Sequence, residues 1–234
     1  FSFLAANVVW ADTGKPILPA VRTANFSDRL MVKKGEKPLS KKIAFIGMTL
    51  EGTPTIVTPS GVAGVRFLDE ADTVNALVPK LKALGVEAIV VLVHEGGFQA
   101  GTYNECVGVS GPIVDIVNRL DAEVDIVISG HTHQAYNCVI NDKLVTSAAS
   151  FGRLVTDIDL SLDMYTGEIT SMQANNVIVT RDVPPSTLLT ALVEKYRTLS
   201  APLANRVIGA ISADILRTNN AAGESALGDV IADS

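Results

Sequence analysis

The middle of the chain repeats one pattern twice: an apolar stripe with helical spacing, followed by a continuous apolar run. In the first copy the helix begins at Asp69 or Asp72, whose carboxylate can cap the first turn, and Gly85 ends it. The runs that follow the two helices are Val86–Val93 and Val124–Ile128. This helix–strand alternation predicts an α/β fold with parallel strands buried on both faces. The stripes are Val74, Leu77, Val78, Leu81 and Leu84 in the first copy, and Ile113, Ile116, Val117 and Leu120, after Pro112, in the second.

The chain before these repeats is less regular. Residues 1–10 are predicted to form a strand, and Ile43–Met48 a buried strand. The turn-rich segment between them is predicted to contain a short amphipathic strand at Arg29–Lys33 and a solvated cationic loop at Lys33–Pro38. Prolines and glycines predict a loop over Gly52–Gly64.

After residue 133 the pattern becomes that of antiparallel strands. A turn at Asn141–Lys143 separates two short apolar runs, and a second turn at Asp163–Gly167 separates two longer ones. Alternation of apolar and polar residues predicts one buried and one solvated face. The four predicted strands are Cys138–Ile140, Leu144–Thr146, Leu154–Leu162 and Ile169–Thr180.

Three aspartates of this region, Asp157, Asp159 and Asp163, have the chemistry of metal ligands. However, Asp157 and Asp159 alternate with Ile158 and Leu160 along one strand. This alternation favours a solvent-facing position for both carboxylates over a metal site.

Pro184-Pro185 indicates a boundary near the end of the chain. Ser186 is predicted to cap a long amphipathic helix, which Pro202 kinks or ends. A strand at Val207–Ile215 and a helix at Ser225–Asp233 are predicted to follow.

The chain contains three histidines, and each of them follows a predicted strand of the repeats. His94 ends the first apolar run and precedes Glu95-Gly96-Gly97, while His131 and His133 come after the second run and Gly130. Open α/β sheets bind ligands at the carboxyl ends of their strands, and neutral imidazole is a common ligand of transition metals. The placement predicts part of a metal site, with ordinary loop or core histidines as the alternative. A metallopeptidase is not indicated, because no His-Glu-x-x-His helix is present.

These histidine blocks resemble the later two metal-binding blocks of the calcineurin-like metallophosphoesterases. More narrowly, the chain is similar to the secreted 5′-nucleotidase/2′,3′-cyclic-nucleotide phosphodiesterase family. The residues that carry the resemblance are Val91–Gly97, Gly130–Gln134, Phe3–Val8, Ala149–Arg153 and Gly223–Asp233.

The resemblance implies three segments. Residues 1–183 would form an incomplete metallophosphoesterase-type layered α-β-β-α sandwich, 184–206 a linker helix, and 207–234 the beginning of a C-terminal α/β substrate-binding domain. In the family the first metal blocks, Asp-x-His, Gly-Asp and Gly-Asn-His-Glu or Gly-Asn-His-Asp, precede the stretch that Phe3–Val8 matches. The chain is therefore expected to be an internal fragment, with the catalytic residues of the parent enzyme before Phe1.

The implied activity is removal of phosphate from nucleotides, as a 5′-nucleotidase, a 2′,3′-cyclic-nucleotide phosphodiesterase, or both. In the parent enzyme two divalent ions such as Zn²⁺ or Mn²⁺ would activate a water molecule, with His94 and His131 on one ion and His133 on the other. The fragment itself is expected to hold at most one ion, weakly, and to be inactive. Arg153 could reach a substrate phosphate or form a structural ion pair, and other substrate-binding residues are unknown. The alternative is a non-catalytic metal-binding module or a degenerate relative.

Two cysteines, Cys106 and Cys138, are compatible with one disulfide or with two free buried thiols. The resemblance to extracytoplasmic enzymes favours the disulfide, and with it a periplasmic, cell-wall or secreted location.

Composition narrows the range of partners. The net charge is −6 and no basic stripe is present, so polymeric nucleic acid is not expected, whereas a metal site could still bind a single nucleotide. No apolar run reaches about 18 residues, and no membrane span is predicted.

Overall fold

The structure is a computed structural model that describes residues 2–27 and 39–233. The strand predicted at Arg29–Lys33 and the cationic loop predicted at Lys33–Pro38 lie outside the described residues. The chain forms two compact units, Phe1–Thr180 and Arg181–Ser234. In chain order the described elements are β1 (Val8–Trp10), β2 (Val21–Ser27), β3 (Ser40–Met48), β4 (Val65–Phe67), α1 (Glu70–Ala83), β5 (Ala88–Val93), α2 (Pro112–Arg119), β6 (Ile126–Ile128), β7 (Ala135–Ile140), β8 (Lys143–Ala148), β9 (Leu154–Leu162), β10 (Ile169–Ile178), α3 (Thr187–Ala204) and α4 (Ala226–Ala232).

A six-stranded mixed sheet forms the centre of the first unit, with the strand order β2-β3-β5-β6-β8-β7. The four inner strands β3, β5, β6 and β8 are parallel, and β2 and β7 are antiparallel edge strands. The predicted parallel α/β sheet is therefore confirmed.

Helices α1 and α2 cover one face of this sheet. The Asp69 carboxylate caps α1 by accepting a hydrogen bond from the Asp72 amide at 2.8 Å, and Gly85 follows the helix with a left-handed φ of 70°, both as predicted. Leu84, which was expected on the apolar stripe, is instead exposed, because it is the C-cap residue, where the chain leaves the helix. The stripe residues Val74, Val78, Leu81, Ile113, Ile116, Val117 and Leu120 are buried against the sheet.

The β9–β10 hairpin lies on the opposite face of the sheet. Ile158 and Leu160 of β9 pack with Val90 and Ile126 of the central strands. Asp157 and Asp159 point to the other side of the hairpin and are exposed, which confirms the predicted solvent face. Helices, mixed sheet and hairpin thus form successive layers, consistent with the predicted layered sandwich.

The segment before β3 differs from the prediction in two ways. Of the described residues 2–10, only Val8–Trp10 form a strand, and this strand pairs with β4 outside the main sheet. Fully buried Asn7 connects the start of β1 to the ends of β3 and β4, since its side chain donates to the carbonyls of Thr49 and Leu68 and accepts from the Thr49 amide. Edge strand β2 was not predicted, because most of its side chains are exposed and it lacks a buried apolar run.

Loop 98–111 is fastened to the hairpin by asparagines. Asn176 is buried, and its Nδ2 lies 2.7–3.3 Å from the carbonyl oxygens of Tyr103, Tyr136 and Ser147. Asn104 accepts a hydrogen bond from the Asn176 amide at 2.7 Å and donates to the Asn176 carbonyl at 3.1 Å. Sequence reasoning gave Asn104 no role, and the structure shows that it holds a long loop in place.

The same loop carries a disulfide. Cys106 is bonded to Cys138 on β7, with their Cα atoms 5.1 Å apart. The alternative of free thiols is therefore excluded in this structure. The bond joins loop 98–111 to the edge of the main sheet.

The second unit contains α3 and α4. Ser186 and Ser225 cap the two helices with their hydroxyl oxygens, as the sequence predicted for Ser186. Pro202 lies inside α3, which continues to Ala204. The strand predicted at Val207–Ile215 is not formed: the structure describes no other strand over 181–233 that could satisfy its backbone groups. Within the described residues, no helix combines the length and the apolar character needed to cross a bilayer.

Replacing Cys106 and Cys138 together by serine should lower the free energy of unfolding by about 3 kcal/mol, because the open chain regains conformational freedom when unfolded. Urea unfolding of both proteins under oxidising conditions measures the difference. Dithiothreitol should weaken the wild type by a similar amount and leave the double variant unchanged. A reductant effect of equal size on both proteins would contradict the assignment.

The buried carboxyl of Asp125 should make the stability of the fold depend on pH. Burial raises the pKa of its carboxyl from 3.8 to about 6, against the opposing effect of a hydrogen bond from the Ile89 amide. The folded state therefore binds a proton more tightly than the unfolded state, so this group stabilises the fold below about pH 4 and loses that contribution as the pH rises through about 6.

Asp125→Asn keeps an acceptor for the Ile89 amide but cannot ionise. We expect the unfolding free energy of the variant, relative to wild type, to increase between pH 4 and pH 6.5 in urea titrations. Parallel pH curves for the two proteins would contradict this prediction.

Candidate metal centre

The predicted histidines lie at the carboxyl edge of the main sheet. Strands β5 and β6 are parallel neighbours, with Leu92 opposite Ile128. His94 directly follows β5, and His131 follows β6 after two residues. The His94 amide also donates to the Met48 carbonyl at 3.1 Å, which ties this loop to the end of β3. Strand order and register thus bring the two histidine loops together, as the repeats predicted.

Two of the three imidazoles are in direct contact. The ring centroids of His94 and His131 lie 5.2 Å apart in an edge-to-face arrangement, and both side chains are exposed. His133, also exposed, packs its ring against Phe151 instead, at 5.7 Å. The edge therefore presents one pair of histidines and a third histidine that faces the loop after β8.

The backbone of the histidine loop is strained. His131 and His133 have φ values of 66° and 57°, in the left-handed region that side chains other than glycine rarely adopt. Hydrogen bonds hold this conformation: the Gly130 amide donates to the Glu95 carbonyl at 3.2 Å, and the Thr132 hydroxyl donates to the Gly97 carbonyl at 2.8 Å. Strain that the surrounding structure maintains at exposed polar residues is typical of functional sites.

Gly96 allows the two loops to meet. A Cβ atom at this position would lie 2.2 Å from the Gly130 carbonyl oxygen and 2.5 Å from the Thr132 hydroxyl oxygen. Any side chain here would therefore separate the histidine loop from the His94 loop. In the sequence the glycine pair after His94 is part of a histidine motif, and glycine at a strand end is also a signal of close backbone approach.

Ser129 anchors the base of the histidine loop, a role the sequence did not reveal. Its amide and hydroxyl both lie 2.8 Å from the Thr146 carbonyl on β8, and the hydroxyl is 2.6 Å from the Tyr136 hydroxyl. Tyr136 is fully buried, and burial raises the pKa of its phenol. The loop is thus connected to β8 and β7 through groups that stay neutral.

The loop after β8 carries Phe151 and Arg153. The Phe151 ring is 81% exposed, and the Arg153 guanidinium carbon lies 5.2 Å from its centroid. Among the residues that the structure describes, no carboxylate lies within 4.0 Å of the Arg153 guanidinium nitrogens. The structural ion pair that the sequence left open for Arg153 is therefore not found in the described part of the chain.

The donor chemistry of this edge fits a transition-metal ion. Exposed imidazoles from adjacent strands suit borderline divalent ions. His94 and His131 are close enough to bind one ion together, whereas His133 would bind an ion separately.

Two clusters of three carboxylates in the described residues bring ligand oxygens within 4.8 Å of one another, which the three histidines do not, but each cluster has a structural explanation. In the first group, Asp69 caps α1 and binds Arg119, and the Glu70 carboxylate accepts a hydrogen bond from the Glu51 amide at 2.6 Å. The second group consists of Glu87, Glu123 and Glu168 and surrounds the Lys82 ammonium. Neither group supports a metal site better than the histidines do.

Comparison with known proteins adds independent information. No family model matches the chain. The chain is 30% identical, over its full length, to 18% of endonuclease YhcR of Bacillus subtilis. It is also 30% identical, over 82% of its length, to 26% of the cell wall protein Lmo0130 of Listeria monocytogenes. The chain thus spans about a quarter or less of these curated relatives.

Solved structures share its fold. The calcineurin-like phosphoesterase YfkN of Bacillus subtilis superposes with a TM-score of 0.68 at 18% identity, over 88% of this chain and 64% of that one. A 5′-nucleotidase precursor from Thermus thermophilus superposes with a TM-score of 0.65 at 22% identity, over 89% of this chain and 40% of that one. The chain thus has the α/β fold of the calcineurin-like phosphoesterases and 5′-nucleotidases and is similar to them, as its histidine motifs predicted.

Proposed function

We propose that the chain is the histidine-bearing part of a metal-dependent phosphoesterase that removes phosphate from nucleotides, as a 5′-nucleotidase, a 2′,3′-cyclic-nucleotide phosphodiesterase, or both. The observation that carries the proposal is the pair His94 and His131. Their rings lie 5.2 Å apart at the ends of neighbouring parallel strands, where α/β sheets bind ligands.

The comparisons support the reaction class. Solved structures with this fold include a calcineurin-like phosphoesterase and a 5′-nucleotidase precursor. Because the chain spans only 18% and 26% of the curated relatives, the remaining metal ligands are proposed to come from other parts of a longer polypeptide. The division into a catalytic domain at 1–183, a linker helix at 184–206 and a second domain from 207 is part of the same proposal.

The chemistry of the site follows from its residues. His94 and His131 would hold one divalent ion and His133 a second, and such ions supply Lewis acidity for phosphoryl groups and for water. Neutral imidazoles bind without adding negative charge, so they do not repel an anionic phosphate ester. The bond from the Thr132 hydroxyl to the Gly97 carbonyl keeps both histidine loops in place, which limits the reorganisation needed at binding.

An extracytoplasmic location belongs to the proposal as well. Disulfides persist in oxidising compartments, and this structure contains one between Cys106 and Cys138. A relative at 30% identity is a cell wall protein.

Another relative is named an endonuclease, so polymeric nucleic acid must be tested as a substrate. We keep nucleotides as the proposed substrate, because the net charge is −6 and the sequence has no basic stripe.

The activity test compares the 234-residue chain with the longer polypeptide that we propose contains it, called here its natural sequence context. We expect hydrolysis of 5′-AMP or 2′,3′-cyclic AMP, with Mn²⁺ or Zn²⁺, only in the natural context, since three imidazoles alone lack the ligands for two ions. Phosphate release, with a chelator control, is the measurement. Activity in neither form would overturn the phosphoesterase proposal in favour of a binding module, and cleavage of DNA alone would overturn the nucleotide substrate.

Two substitutions at position 131 can separate the effect of metal binding on stability from the effect of backbone strain. We expect Zn²⁺ to stabilise the wild type in urea unfolding, and His131→Ala and His131→Gly should both abolish this stabilisation. In the presence of chelator, His131→Gly should be more stable than His131→Ala by about 1 kcal/mol, because glycine adopts the left-handed conformation without strain.

His133→Ala is the matched control, because it removes a histidine of the same loop that does not contact His94. It should retain part of the Zn²⁺ effect. Unchanged Zn²⁺ stabilisation in both His131 variants would contradict the proposed role of this residue.

A further inference from the structure

The loop between β8 and β9 has a conformation that packing does not explain. Ala149, Phe151 and Gly152 all have left-handed φ values, between 56° and 65°. For a bulky residue such as phenylalanine this conformation is unfavourable. The Phe151 ring is also 81% exposed, so burial of apolar surface does not compensate for the strain.

The exposed Phe151 ring instead contacts two polar side chains. One is His133, whose ring meets the Phe151 ring at 63° with 5.7 Å between centroids. The other is Arg153, whose guanidinium lies 5.2 Å from the Phe151 centroid, within the range of a cation–π contact. The strained backbone thus places one ring in contact with both a permanent cation and a histidine of the candidate metal centre.

The topology places Arg153 at the same edge of the sheet as the histidines. Strand β8 is the parallel neighbour of β6, so the loop after β8 and the histidine loop after β6 leave the sheet at the same end. A guanidinium has five N–H donors, and among the described residues no carboxylate lies within 4.0 Å to occupy those of Arg153. Its donors remain available for an anion that approaches the histidines.

We infer that Arg153 is a substrate-binding residue that contacts the phosphoryl oxygens beside His133, and that Phe151 is the positioning residue that holds it there. The inference deepens the proposed function and rests on it. A guanidinium can pair with two non-bridging oxygens of either ester, but its attraction grows with the charge of the anion. It should therefore favour phosphate monoesters, which carry two negative charges, over diesters, which carry one.

The test uses the metal-loaded protein in its natural sequence context and has two readouts. The first is the affinity for inorganic phosphate, measured by calorimetry. The second is the KM and kcat for p-nitrophenyl phosphate, a monoester, and bis(p-nitrophenyl) phosphate, a diester. Arg66→Met is the matched control, since Arg66 is an exposed arginine on β4 outside the main sheet.

We expect Arg153→Met to weaken phosphate binding about tenfold and to raise the KM for the monoester about tenfold, with about a threefold effect on the diester. Phe151→Leu should raise the monoester KM about threefold with little change in kcat, because it removes the ring contacts with Arg153 and His133 but keeps both of those side chains. Phe151→Trp should keep the monoester KM at its wild-type value, because tryptophan retains the cation–π contact. If the ring had only a structural role, the larger side chain would not be expected to preserve this KM.

The outcomes distinguish the inference from the function on which it rests. If Arg153→Met and Arg66→Met have equal effects, or if the wild type does not bind millimolar phosphate, the inference is wrong. If the wild type binds phosphate through Arg153 but hydrolyses neither ester nor a nucleotide, the inference holds and the proposed function fails. An equal loss for monoester and diester would overturn the proposed selectivity.

Discussion

The close contact between the two histidine loops is the constraint on which the candidate site depends. Parallel pairing of β5 with β6 brings the loops to one edge, but pairing alone does not set the distance between them. That distance is set by backbone atoms: the absence of a side chain at Gly96 lets the Gly130 carbonyl approach, and the Thr132 hydroxyl reaches the Gly97 carbonyl. The imidazoles of His94 and His131 meet because their main chains do.

Much of this architecture follows from local sequence patterns. The helix starts at Asp69 and Pro112, the glycine that follows α1 and the parallel sheet could all be predicted, because capping and periodicity are local properties. Strand β2 and the irregular segment at Val207–Ile215 could not. Whether an exposed stretch forms a strand depends on a partner elsewhere in the chain, and no local pattern specifies that partner.

The site was predictable to a similar degree. Histidines at strand ends are visible in the sequence, and so is the edge of the sheet at which they lie, since the carboxyl ends of parallel strands meet at one edge. The left-handed backbone of His131 and His133 and the support from Ser129 and Tyr136 are not visible. They arise from contacts between segments that are distant in sequence, and such contacts depend on the register of whole strands.

Asn176 has a consequence for how this fold can be recognised in other sequences. Its Nδ2 contacts main-chain carbonyls of Tyr103, Tyr136 and Ser147, which every amino acid provides. The partner positions can therefore change identity without loss of these bonds, and no pair of positions needs to mutate together. Methods that infer contacts from correlated substitutions would miss these bonds, although through them Asn176 connects loop, sheet and hairpin.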